Sequence, residues 1–82
     1  MYAIMTKEEL LEILSDLHPE VDFETETSLV DDKIFTSFDI VAITAEISDS
    51  FDILIPAGEI RPENFNSLDA LYALIQKVSD ED

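Results

Sequence analysis

The chain has no cysteine. Disulfides, thiolate nucleophiles and cysteine-based zinc sites are therefore excluded. There is one histidine, His18, so a histidine cluster cannot form. There is one glycine, Gly58, so no glycine-rich phosphate loop can be built. Basic residues are scarce: 4 Lys and Arg face 20 Asp and Glu, a formal charge of −16. Nucleic-acid binding rests on cations that neutralise phosphates, and this chain lacks them. An anionic membrane surface would repel it for the same reason. No apolar run approaches the roughly 18 residues of a membrane-spanning helix. The opening Met1-Tyr2-Ala3-Ile4-Met5-Thr6-Lys7 lacks the order of a signal peptide, which points to a cytoplasmic protein.

What is present is a core. Of the 82 residues 46% are hydrophobic, and the mean hydropathy is +0.10. Disordered acidic chains are poor in apolar residues. Strong charge and a real core can coexist only if the acids are sorted onto a surface. The length fits one domain, 1–82, with 1–5 and 79–82 expected to fray. Mutual repulsion of so many acids favours a monomer.

Periodicity gives the fold class. Thr6-Lys7-Glu8-Glu9 fits a capping box. Leu10, Ile13, Leu14 and Leu17 follow at the spacing of one helical face. Pro19 disfavours helical geometry at His18, so the first helix covers about 6–17. A long connection, 18–36, carries six acids together with Val21, Phe23, Leu29, Val30, Ile34 and Phe35. Val21 and Phe23 alternate with acids as a strand would, but no partner strand exists, and the apolar residues are expected to pin the loop across the helices. Ile40, Ile43, Ile47 and Phe51 mark a second helix over 37–51, with Thr36 or Ser37 as its N-cap. One short helical turn is expected within 56–65. Leu68, Leu71, Ile75 and Val78, with Leu74 beside them, mark the last helix, capped by Asn66 or Ser67. The expectation is an all-α domain of three main helices and one short one, with a long loop between the first two.

No catalytic set stands out. His18 as a catalytic base, in a small helical enzyme, is the weakest reading, because a histidine just past a helix end more often makes a favourable charge contact there. The acids lack the spacing and the sixth-position glycine of a calcium loop, so no metal site is expected. One constellation remains: Phe35-Thr36-Ser37-Phe38-Asp39-Ile40-Val41. A serine opens the middle helix after a long loop, and Phe38 and Val41 fall away from the centre of the core stripe. Apolar residues outside a core can mark a docking point. The plain alternative is that Ser37 caps the helix and Phe38 lies against the loop.

The organisation resembles the acyl carrier protein family, including the peptidyl and D-alanyl carriers, from about Thr6 to Lys77. The matching features are a helix, a long loop, a serine at the start of the second helix, the closing segment Ile47-Ser48-Asp49-Ser50-Phe51-Asp52-Ile53-Leu54-Ile55-Pro56, and Pro62 to Leu68 leading into the last helix. The resemblance implies that a phosphopantetheinyl transferase uses coenzyme A to attach 4′-phosphopantetheine to Ser37. The arm then carries acyl or aminoacyl groups to transferring or ligating enzymes with basic docking patches, in fatty-acid or secondary-metabolite synthesis. The chain itself is then no enzyme. By match to the family, Phe38, Asp39, Val41 and Asp49 are the docking residues. Three departures stand out. Thr36 replaces the Asp usual before the serine in fatty-acid carriers, Ala42 and Ser48 replace frequent acids, and Lys33 stands where many members have Gly. An acidic interaction module that is never modified is the alternative reading.

Overall fold

The computed structural model describes residues 6–80. It contains four helices, α1 (Lys7–Leu17), α2 (Ser37–Phe51), α3 (Pro62–Phe65) and α4 (Leu68–Asp80), with a 3-10 turn at Ala57–Glu59. Among the described residues there is no strand. The domain is all-helical, and α1 packs against both α2 and α4.

The Thr6 capping box forms as the sequence predicts. Glu9 N donates to Thr6 Oγ1 at 3.1 Å, and Thr6 N donates to Glu9 Oε1 at 3.0 Å. Leu10 and Leu14 are fully buried. Leu17, expected on the same stripe, is 39% exposed because the helix stops there and the core lies behind it. His18 is the C-cap and donates its N–H to the Leu14 carbonyl at 2.9 Å.

The long connection is a chain of closed turns. Phe23, Leu29 and Phe35 point into the core, as expected of residues that pin the loop. A side chain 36 positions away from Val30 holds it down. Asn66 Oδ1 accepts from Val30 N at 2.9 Å and from Asp31 N at 3.1 Å. The Asn66 carbonyl accepts from Leu29 N at 2.9 Å.

Lys33 sits in left-handed backbone, φ 63. This geometry costs an L-residue about 1–2 kcal/mol, of which glycine would recover a part after its larger unfolded-state entropy. Lys33→Gly should therefore stabilise the fold by about 0.5 kcal/mol, raising the thermal midpoint by about 2–4 °C. Circular dichroism melts check this, and an unchanged or lower midpoint would show that the lysine is not strained.

Thr36, not Ser37, is the N-cap of α2, again with a capping box. Ile43 and Ile47 are fully buried, and Ile40 and Phe51 pack at the edge of the core. The helix closes at Asp52 in left-handed backbone, φ 54, which a short polar side chain tolerates.

The single short turn expected within 56–65 is in fact two. Pro62 forces Arg61 into extended backbone, which separates the 3-10 turn from α3. In α4, Ala70 N donates to Ser67 Oγ at 3.0 Å, so Ser67 is the capping side chain and Asn66 is free for the loop. Leu68, Leu71, Leu74, Ile75 and Val78 are all buried, as their spacing predicts. Lys77 reaches back to Glu59 Oε2 at 2.6 Å. The helix runs through Ser79 and Asp80, which the sequence reading assigns to a fraying tail. Residues 1–5 and 81–82 lie outside the described residues.

Candidate functional site

Ser37 is the first residue of α2 and is exposed. The division of labour at this helix start decides what it can do. Thr36 Oγ1 accepts from Asp39 N at 3.3 Å, and Asp39 Oδ2 accepts from Thr36 N at 2.9 Å and from Thr36 Oγ1 at 3.1 Å. The cap is thus built by the residues on either side of the Ser37–Phe38 pair. A serine used as a cap has its oxygen committed to backbone amides. Here Thr36 does that work, and Ser37 stands exposed at the amino end of a 15-residue helix.

The four candidate docking residues separate into two kinds. Phe38 is 79% exposed and Val41 is 64% exposed, one turn apart on the helix. Asp49 is exposed two turns further on. The 3.6-residue period places Phe38, Val41, Ala45 and Asp49 along one outer face. Asp39 is turned inward. Its Oδ2 closes the cap, and its Oδ1 lies 3.2 Å from His18 Nε2. Burial alone would raise the Asp39 pKa, but hydrogen bonds from Thr36 and the neighbouring His18 outweigh it and hold the carboxyl below its usual value.

His18 lies between two acids. Its Nδ1 is 3.1 Å from Glu20 Oε2. Its Nε2 approaches Asp39 Oδ1 at ion-pair distance, but off the line of a hydrogen bond. Burial would lower the pKa of this imidazole, but the Glu20 and Asp39 carboxylates outweigh that effect and raise it. With both nitrogens facing carboxylates, His18 makes charge contacts at the end of α1.

A groove of about 450 Å³ opens between the amino ends of α1 and α4 and the long loop. Lys7, Leu11, Phe23, Leu68 and Asp69 are among its lining residues, and none of its lining comes from α2. It is therefore separate from the Ser37 surface. Among the described residues, no group of three His, Asp or Glu side chains is placed to hold a metal ion. No helix among them is long and apolar enough to cross a membrane.

The chain is 35% identical over 63 residues to Aminoacyl carrier protein 2 of Bradyrhizobium diazoefficiens. The aligned stretch covers 77% of this chain and 63% of that relative, so the chain spans a little under two thirds of the relative's length. No family model matches, and no solved structure does.

The sequence reading singles out Ser37, Phe38, Val41 and Asp49, and all four stand on the surface of α2. It also places Asp39 on the docking face; in the fold its carboxylate lies in the cap with Thr36 and 3.2 Å from His18 Nε2. It passes over Asn66 as anything but a cap. The signal that could have found it is an amide side chain at the entrance to α4, where the adjacent Ser67 already suffices as a cap.

Proposed function

We propose that this chain is a carrier protein. It bears a 4′-phosphopantetheine arm, donated by coenzyme A, on the Ser37 hydroxyl, and presents an acyl or aminoacyl group to partner enzymes. The observation that carries this reading is an exposed serine, left free by a neighbouring cap, in a chain that is similar to an aminoacyl carrier protein. In the loading step Ser37 Oγ attacks the coenzyme A pyrophosphate. A new P–O bond forms, adenosine 3′,5′-bisphosphate leaves, and the serine proton passes to a base of the transferase.

The residues present suit such a group. The hydroxyl is accessible, and an anionic phosphodiester at position 37 meets the positive end of the α2 dipole. The arm would supply the one thiol that a cysteine-free chain lacks, and that thiol holds the cargo as a thioester. The chain's own contribution is to present it. Phe38 and Val41 offer a small apolar contact to the partner. The −16 charge steers the domain towards basic patches without demanding tight binding, as suits a protein that must leave again. The chain itself catalyses nothing in this reading, and the same charge keeps it monomeric.

The linkage of the cargo tests this. After incubation with coenzyme A, magnesium, a promiscuous phosphopantetheinyl transferase and a labelled acyl donor enzyme, the chain should hold label that neutral hydroxylamine releases. Ser37→Ala should take up none. Equal label on both proteins would contradict the assignment.

A further inference from the structure

We infer that His18 is a positioning residue for the loading of Ser37, holding the first turn of α2 against the end of α1 through the Asp39 carboxylate. This rests on the carrier reading, but its geometry stands by itself. His18 is the cap residue of α1, and its ring packs on Phe35 with centroids 5.6 Å apart. Phe35 is buried and packs in turn on Phe23 at 5.9 Å. The imidazole is therefore seated.

The two oxygens of Asp39 have different work. Oδ2 closes the capping box with Thr36, while Oδ1 faces His18. Ser37 and Phe38 are the residues enclosed between Thr36 and Asp39. Whatever fixes that carboxylate fixes the backbone that presents the hydroxyl and the aromatic ring to a transferase.

Protonation enters through the count of N–H groups. A neutral imidazole carries one N–H, and an imidazolium carries two. Both His18 nitrogens face carboxylates, Glu20 from the long loop and Asp39 from α2. Only the imidazolium suits both. The neutral ring turns a lone pair towards one of the two acids and releases it. Because the folded pKa is raised above 6.5, this contribution is fully present below about pH 6.5 and is lost as the pH rises through the raised value. Asp39, held below its ordinary value, stays charged throughout that range.

Two measurements test the inference, the first on unmodified protein. With one histidine in the chain, its ring proton signals titrate without ambiguity. The Ser37 and Phe38 amide signals should move with the same midpoint, and Glu20→Gln should lower that midpoint without touching the cap. The second measures transferase kinetics on wild type and His18→Gln. At about pH 5.5 the variant should show a KM about threefold higher with kcat unchanged, and at a pH well above the midpoint found by the ring titration the two should agree. Amide signals that ignore the histidine, or a KM ratio that is the same at both pH values, would overturn the inference. If neither protein is loaded at any pH, the carrier reading fails, while the titration still decides whether His18 fixes the turn.

Discussion

Phe38→Ala should raise the KM of the unmodified chain for a phosphopantetheinyl transferase by about ten- to thirtyfold, with little effect on stability. The two halves of this expectation have one cause. A ring that is 79% exposed contributes little to the folded state, so its removal should move the thermal midpoint by no more than about 2 °C. The same ring sits next to Ser37, where a partner that reaches the hydroxyl must cover it. Burying an aromatic anchor at the centre of a small contact is worth about 1.5–2 kcal/mol, which gives the stated factor. Val41→Ala, on the same face, should act in the same direction with a smaller effect. Leu54 is a useful control, because it is 81% exposed but lies beyond the end of α2. Leu54→Ala should change KM less than about twofold. Raising the salt should slow association for every variant, since steering by charge is screened, yet preserve the ratio between Phe38 and its replacement. A Phe38→Ala protein that is loaded as well as wild type would remove the docking role of this face.

Asn66→Ala should cost about 2 kcal/mol and lower the thermal midpoint by about 10 °C. The side chain satisfies the amides of Val30 and Asp31 at once, and Asn66 Nδ2 donates to Asp31 Oδ2 at 3.3 Å. Alanine leaves the partly buried Val30 N–H without its partner and frees the exposed Asp31 N–H to water, and the Leu29 bond to the residue 66 carbonyl alone remains. For a domain of this size, whose whole stability is about 4–12 kcal/mol, that loss is large. It should also be felt at a distance. The segment that Asn66 holds runs directly into Phe35 and Thr36, so amide exchange at Thr36 to Phe38 should accelerate in the variant, while that of α4 from Leu71 onward changes only as global stability does. Urea titration measures the first effect and hydrogen exchange the second. A variant with unaltered stability would mean that the loop is held by Phe23, Leu29 and Phe35 alone.

The parts of this fold that could be read from the sequence are those with local causes. Thr6 with Glu9, and Thr36 with Asp39, are three residues apart, and each pair closes the box its spacing allows. The Ile43–Ile47 and Leu71–Ile75 stripes follow the helical period and are buried. Leu17 fails because periodicity marks a face but not where the neighbouring element ends. Asn66 fails for a different reason. Its partners lie far off in sequence, and a polar side chain that serves distant backbone amides leaves no periodic mark. His18 makes a charge contact at the end of α1 as expected, with Glu20 two residues on, but its second partner, Asp39, is distant in sequence and leaves no mark either. Asp39 shows the same limit at the site itself. As a first-turn acid on the serine's helix it fits a cap and a docking charge equally well in the sequence. Only the fold, which brings His18 to within 3.2 Å of it, shows that both oxygens are already engaged. The exposure of Phe38 and Val41 was legible because neither belongs to the stripe that Ile40, Ile43 and Ile47 define.

The most direct test of the central claim is the intact mass of the purified chain after incubation with coenzyme A, magnesium and a promiscuous phosphopantetheinyl transferase, with Ser37→Ala alongside. The account predicts a gain of one phosphopantetheinyl group on the wild-type chain, located by peptide mapping to Ser37, and no gain on the variant. A wild-type chain that is fully helical yet unchanged in mass would contradict it, and would leave an unmodified acidic interaction module, with Thr36 in place of the usual Asp, as the better description.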